Sequence, residues 1–135
     1  MIQKKDLKKV IKRDDFDAII IRTGFSRYRN KHSWIYCYEN PCISPGAAKW
    51  LKTRFPKLKA VGIDCISISS YAHKDLGKQA HKAFLGRYAG SRSILIIEDM
   101  FIPSSTGNIR ELIVVPLLIK GVDSAPCSVI GIEYD

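Results

Sequence analysis

The chain has 135 residues, of which 46% are hydrophobic and 26% charged, and its formal net charge is +9. That size and balance fit one globular domain burying roughly two thirds of its unfolded surface, and they exclude disordered and low-complexity classes. No apolar run approaches the roughly 20 residues of a membrane span and no charged-then-apolar leader opens the sequence, so a cytoplasmic protein is expected.

Residues 3–12 place Leu7, Val10 and Ile11 at i, i+3, i+4 spacing, a narrow apolar stripe on a basic helix. Residues 17–22 read as a buried strand, and Gly24 allows a sharp turn at its end. Residues 25–43 read as an irregular, aromatic and basic loop containing Phe25, Arg27, Tyr28, Arg29, Lys31, His32 and Trp34. Long loops in compact domains are often binding loops. Ser44 as N-cap and Pro45 at the first helical position then open a helix that Pro56 stops.

A short buried strand is predicted over residues 59–64, followed by a polar segment at 67–70. The stretch 71–99 reads as a helix carrying His73 and His81, a glycine-punctuated turn, and a strand at 94–97. That strand is apolar throughout, as one buried on both faces would be, and it ends on Glu98-Asp99. Acid groups at such a strand end sit on the rim where α/β folds build their sites. His73 is assigned to the helix surface. Beyond it come a loop at 102–110, a strand at 112–119 whose Pro116 argues for an edge or a bulge, a turn at 121–126, and a last strand at 128–133. The order βαβαβ plus two strands predicts an α/β fold with a mixed sheet and flanking helices.

Cys37, Cys42, Cys65 and Cys127 form no paired zinc-type motif and are expected to be free thiols, although Cys37 and Cys42 flank a loop that a bridge would close. The charge is uneven: residues 1–59 hold 15 Lys/Arg against five Asp/Glu, the remainder seven against eight. A solvated basic surface accounts for this. Arg27, Tyr28, Arg29, Lys31 and Trp34 would also serve as a stacking and charge patch for nucleic acid, but no DNA- or RNA-binding motif accompanies them.

Several fragments, in order, resemble the putative cyclase family of metal-dependent hydrolases, which includes bacterial-type kynurenine formamidases. They are Ile21-Arg22-Thr23-Gly24, residues 44–51, Val61-Gly62-Ile63-Asp64-Cys65-Ile66-Ser67, Ala80-His81 with Phe84-Leu85-Gly86, Ile96-Ile97-Glu98-Asp99, Val115-Pro116-Leu117 and residues 121–126. The resemblance implies a swivelling β/β/α fold, an oligomer, and a two-metal site hydrolysing the C–N bond of a small amide or carbonyl substrate. An aryl formamide of the kind met in tryptophan catabolism is such a substrate. It also implies that His81 and Glu98 are ligands to a divalent metal, zinc or manganese, since imidazole nitrogen and bridging carboxylate both suit such ions. By resemblance, the loop after Thr23-Gly24, with Phe25 and Trp34, borders the substrate pocket; Asp64, with Ser67 and Ser69, either lies near that pocket or forms a structural turn.

The family motif His-x-Gly-Thr-His-x-Asp-x-Pro-x-x-His, which supplies most of the ligands and a catalytic His, has no counterpart in this sequence. The chain therefore reads as one cyclase-like domain, residues 1–135, carrying the carboxy-terminal portion of the pattern. Three functional readings follow: a hydrolase by descent that is inactive alone or completed by a separately encoded amino-terminal partner or a missing segment, a non-catalytic fold kept for assembly or ligand binding, and a basic nucleic-acid-binding protein. Uncovered apolar surface on the remaining sheet predicts self-association.

Overall fold

The computed structural model describes residues 1–86 and 91–134. The chain divides into two compact units, Met1–Ile102 and Pro103–Asp135.

The first unit is an α/β layer. Helix α1 (Lys4–Val10) opens on a capping box in which the Gln3 N–H donates to Asp6 Oδ2 at 2.8 Å. Its narrow stripe buries only Leu7, while Val10 faces solvent. Strands β1 (Ala18–Ile21), β2 (Ala60–Ile63) and β3 (Leu95–Ile97) form a parallel sheet in the order β1-β2-β3. Helix α3 (Pro45–Arg54) starts as its sequence demands: Pro45 sits at the first turn and Ser44 Oγ accepts from the Ala47 N–H at 3.1 Å. Ala47, Ala48 and Leu51 of α3 share one core with Val61 and Ile63 of β2, and with Ala80 and Phe84 of α4 (Lys74–Leu85). Arg92 satisfies carbonyls at the end of α3, donating to Lys52 O at 2.8 Å, Phe55 O at 3.1 Å and Leu58 O.

Several expectations change. The segment 25–43 is ordered: a 3₁₀ turn spans Phe25–Tyr28 and helix α2 spans Ser33–Tyr38. Its aromatic residues hide a helical period, because Tyr36 turns inward and is buried while Trp34 and Tyr38 face out. The strand at 94–97 is not buried on both faces. Among the described residues it pairs with β2 alone, and Leu95, on the face opposite the helical core, is 64% exposed. The helix at 71–85 begins as a 3₁₀ turn at Tyr71–His73 and ends on Gly86 in the left-handed region, φ 66°. The turn predicted after it falls at residues 87–90, outside the described residues.

The second unit is a hairpin of β4 (Ile109–Pro116) and β5 (Cys127–Glu133), antiparallel with an irregularity between Ile109 and Glu111. The Gly107 N–H donates to Glu133 Oε1 at 2.7 Å and closes its open end. None of its described residues is buried, so it has no core of its own. Parallel and antiparallel strands thus occupy two separate sheets, not one mixed sheet, within the α/β class. Among the described residues, no helix is long and apolar enough to cross a membrane.

Candidate functional site

The carboxyl ends of β2 and β3 carry the acidic residues. Asp64, just past β2, is buried, and both its oxygens are in use. Oδ1 accepts from the Thr23 N–H at 2.7 Å and the Thr23 hydroxyl at 2.6 Å, and Oδ2 accepts from the Gly24 N–H at 2.7 Å. Asp64 therefore pins the turn after β1, with Gly24 at φ 74°. Its carboxylate is spent on backbone.

Glu98, just past β3, is held differently. All its bonds converge on Oε1, which accepts from the Ser67 hydroxyl and the Ile68 N–H, each at 2.7 Å, and lies 3.3 Å from His81 Nε2. No hydrogen bond to Oε2 occurs among the described residues. The 67–70 loop that supplies two of these donors is fastened by buried Asn40, whose amide donates to Ser67 O at 3.0 Å and Ser69 O at 2.7 Å.

His81 reaches the pair from the second turn of α4. Its Nδ1 lies 3.0 Å from Gly77 O, one helical turn back. A carbonyl can only accept, so Nδ1 carries the proton and Nε2 is the atom turned toward Glu98. A neutral imidazole would then set a lone pair against a carboxylate oxygen, and a cation between them, proton or metal, relieves both. The titration behaviour follows. Bonding to Glu98 raises the His81 pKa above its ordinary value against the opposing effect of burial, with help from Gly77 O. Burial alone would push Glu98 upward, but His81, Ser67 and Ile68 together hold it below the usual carboxylate range.

Next to Glu98, Asp99 adopts φ 58°, the one described non-glycine residue in the left-handed region. Its carboxylate accepts from Arg29 and from the Tyr36 hydroxyl, and its carbonyl accepts from Arg29 as well. Burial, followed by the bond to Asp99, pushes Tyr36 up to about 12. This Arg29–Tyr36 clamp had no signal in the sequence beyond membership of an aromatic, basic stretch, because its partner lies 63 positions from Tyr36.

Of the pocket residues expected by resemblance, Phe25 is half-buried against Tyr28 and Tyr36, with ring centroids 5.0 and 6.3 Å away. Trp34 is 62% exposed and stacks on Tyr38 at 5.4 Å, which meets the edge of Tyr71 at 4.8 Å. His73 is exposed, as expected. The four cysteines are free, and burial raises the Cys65 thiol to about 11.

The His81–Glu98 pair fits two places in a divalent-metal ligand set. Its free Oε2 and its tautomer, fixed by a backbone acceptor, are the features that such ligands need. Among the described residues, no group of three His, Cys, Asp or Glu side chains converges to complete one.

Comparison with known proteins gives two findings. An uncharacterized protein of Haemophilus influenzae (strain ATCC 51907 / DSM 11121 / KW20 / Rd) is 46% identical over 41 residues, which is 30% of this chain and 29% of that protein. No solved structure matches the chain. The sequence profile of the Cyclase family, described as "Putative cyclase", matches residues 1–70, from α1 through β2 to the loop that binds Glu98. His81 and Glu98 themselves lie beyond the matched segment. With just over half its length matched, the chain belongs to the Cyclase family.

Proposed function

We propose that this chain is a metal-dependent hydrolase of small amide or carbonyl substrates, arylformamidase-like, in which His81 and Glu98 supply part of the metal site. The observation that carries the reading is the approach of His81 Nε2 to Glu98 Oε1 at 3.3 Å, with Nδ1 tied to Gly77 O and Oε2 left free. When bound, a zinc or manganese ion would acidify a water and polarise the scissile carbonyl. The chain's own residues orient that site: Gly77 O sets the imidazole tautomer, and Ser67 with Ile68 N–H fixes one carboxylate oxygen. A catalytic zinc takes three protein ligands, so the others come from a second copy or from a separate chain carrying the family's histidine-rich motif.

The test is zinc and manganese titration calorimetry on the purified chain, beside His81→Ala and Glu98→Ala. Aryl formamide hydrolysis is then followed with and without a candidate partner. The reading expects metal uptake that both substitutions weaken at least tenfold, and hydrolysis that requires the completing chain. Equal metal uptake by all three proteins would overturn it.

A non-catalytic fold kept for assembly or ligand binding is the second reading. The absence of a third ligand beside the pair among the described residues favours it. Hydrolysis by the completed complex separates the two.

A further inference from the structure

We propose that Trp34, Tyr38, Tyr71 and Lys74 form a binding surface for single-stranded nucleic acid, with bases stacked on the rings and phosphate held at Lys74. Trp34 and Tyr38 stand one helical turn apart on α2, on the face opposite buried Tyr36. Tyr71 joins them from the 3₁₀ turn that precedes α4. The Trp34 and Tyr38 rings stack at 5.4 Å and 25°, and the Tyr38 and Tyr71 rings meet edge to face at 4.8 Å and 71°. Lys74 Nζ stands 3.7 Å from the centre of the Tyr71 ring.

These rings do not serve the core. Tyr36 is the ring of α2 that packs inward, whereas Trp34 and Tyr71 are each more than half exposed and Tyr38 more than a third. The three cover part of one another yet leave a contiguous aromatic patch in water, and such patches mark interaction sites. Of the basic and aromatic stretch that the sequence offers for nucleic acid, only part belongs to this surface. Arg29 is engaged by Asp99, and Arg27 lies over the Tyr28 ring at 4.8 Å. Tyr38, Tyr71 and Lys74 enter because the fold brings the start of α4 to α2.

Charge selects the occupant. An aromatic cluster can take a cation, a sugar or a flat base, but Lys74 already sits on the Tyr71 ring as a cation. The two segments that build the patch, residues 27–39 and 71–78, carry five Lys/Arg against Glu39 and Asp75. The first unit as a whole holds 20 Lys/Arg against nine Asp/Glu. A further cation is repelled there, a neutral sugar gains nothing from the field, and an anion is drawn in. Single-stranded nucleic acid supplies both a flat face and a phosphate in every unit. A duplex hides its base faces within its own stack, so the strand is single. Stacking reads no hydrogen-bonding edge, so sequence preference is weak. The proposal stands apart from the hydrolase reading, and its assay contains neither metal nor amide.

The test is fluorescence anisotropy of a labelled oligothymidine of about 12 nucleotides with the full chain, at about 50 to about 200 mM salt. Affinity for the strand should fall steadily with salt. A duplex of the same length and the mononucleotide should each bind at least tenfold more weakly. Trp34→Ala changes no charge and should weaken strand binding at least tenfold at every salt concentration, with the circular dichroism spectrum retained. Trp34→Phe should recover most of that loss. Lys74→Gln should lower the slope of log affinity against log salt by about 0.7, the share of one phosphate contact on a single strand. Trp34→Ala should leave that slope unchanged. Lys57→Gln, which removes an exposed charge from the turn after α3, should bind as wild type does. No binding at about 100 μM protein in the lowest salt would overturn the proposal in favour of a protein occupant. Wild-type affinity in Trp34→Ala, equal affinity for strand and duplex, or equal losses in Lys57→Gln and Lys74→Gln would overturn it in favour of adhesion by charge alone.

Discussion

Gly77 of α4 faces Ser69 so closely that a Cβ at position 77 would stand 2.2 Å from Ser69 Cβ and 3.0 Å from its Cα. The same Gly77 lends its carbonyl to His81, and the loop containing Ser69 lends its donors to Glu98. One missing side chain thus sets the spacing between the two halves of the candidate site. Gly77→Ala gains helix propensity yet must push the loop away, and overpacking of this kind costs about 1–3 kcal/mol. Urea denaturation should show that loss, and the His81 ring resonances should move with it.

The His81–Glu98 pair makes stability depend on pH in two directions. His81 has a raised folded-state pKa, so its contribution is complete below its unfolded value and fades as pH rises through the folded one. Glu98 has a lowered folded-state pKa, so its contribution is complete above its unfolded value and fades as pH falls through the folded one. Stability from the pair should therefore peak between the two folded-state values. An NMR titration should place the His81 midpoint above 6.5, the ordinary value, and Glu98→Gln should lower it. An unchanged midpoint in Glu98→Gln would count against the contact.

Asp64 is a structural carboxylate, and its removal tests fold, not chemistry. Asp64→Ala leaves the Thr23 and Gly24 N–H groups without their acceptor. Unsatisfied donors cost about 1–3 kcal/mol each when buried, so a loss of about 3 kcal/mol in chemical denaturation is expected. Metal uptake per folded molecule should not change.

Asp99 separates backbone strain from side-chain bonding. Asp99→Ala and Asp99→Gly both lose the bonds to Arg29 and Tyr36, but only glycine adopts φ 58° freely. The glycine variant should be the more stable of the two by about 1 kcal/mol. Thermal unfolding of both proteins side by side measures this difference. Ser44→Ala, which deletes a helix cap and nothing else, should cost about 1 kcal/mol and calibrates the scale.

Where local chemistry decides the structure, the sequence could be read directly. Ser44-Pro45 fixes the start of α3, and short β-branched runs give β1 and β2. The rim position of Glu98 follows from its place at a strand end. Where partners are distant, nothing local announces them. Leu95 looks like a buried residue, yet it is 64% exposed, because what covers a strand face is set by distant elements and not by the strand's own composition. Asp64 resembles a site residue until Thr23 and Gly24, some forty positions away, are seen to use both its oxygens. The Arg29–Tyr36 clamp was invisible for the same reason. The 3.3 Å approach of His81 to Glu98 is a contact that neither residue type at its own position required.

The parallel register has a kinetic consequence. Ala60 meets Ala18 on one side and Leu95 on the other, so every rung of that sheet closes a loop of roughly forty residues before it gains a contact. The hairpin at the other end of the chain is wholly local and can zip in microseconds. Refolding from denaturant should therefore begin with the part that contributes least to holding the molecule together, and wait on the part that contributes most. During that wait two sticky strands lie open to neighbours, so recovery yield should fall steeply as protein concentration rises.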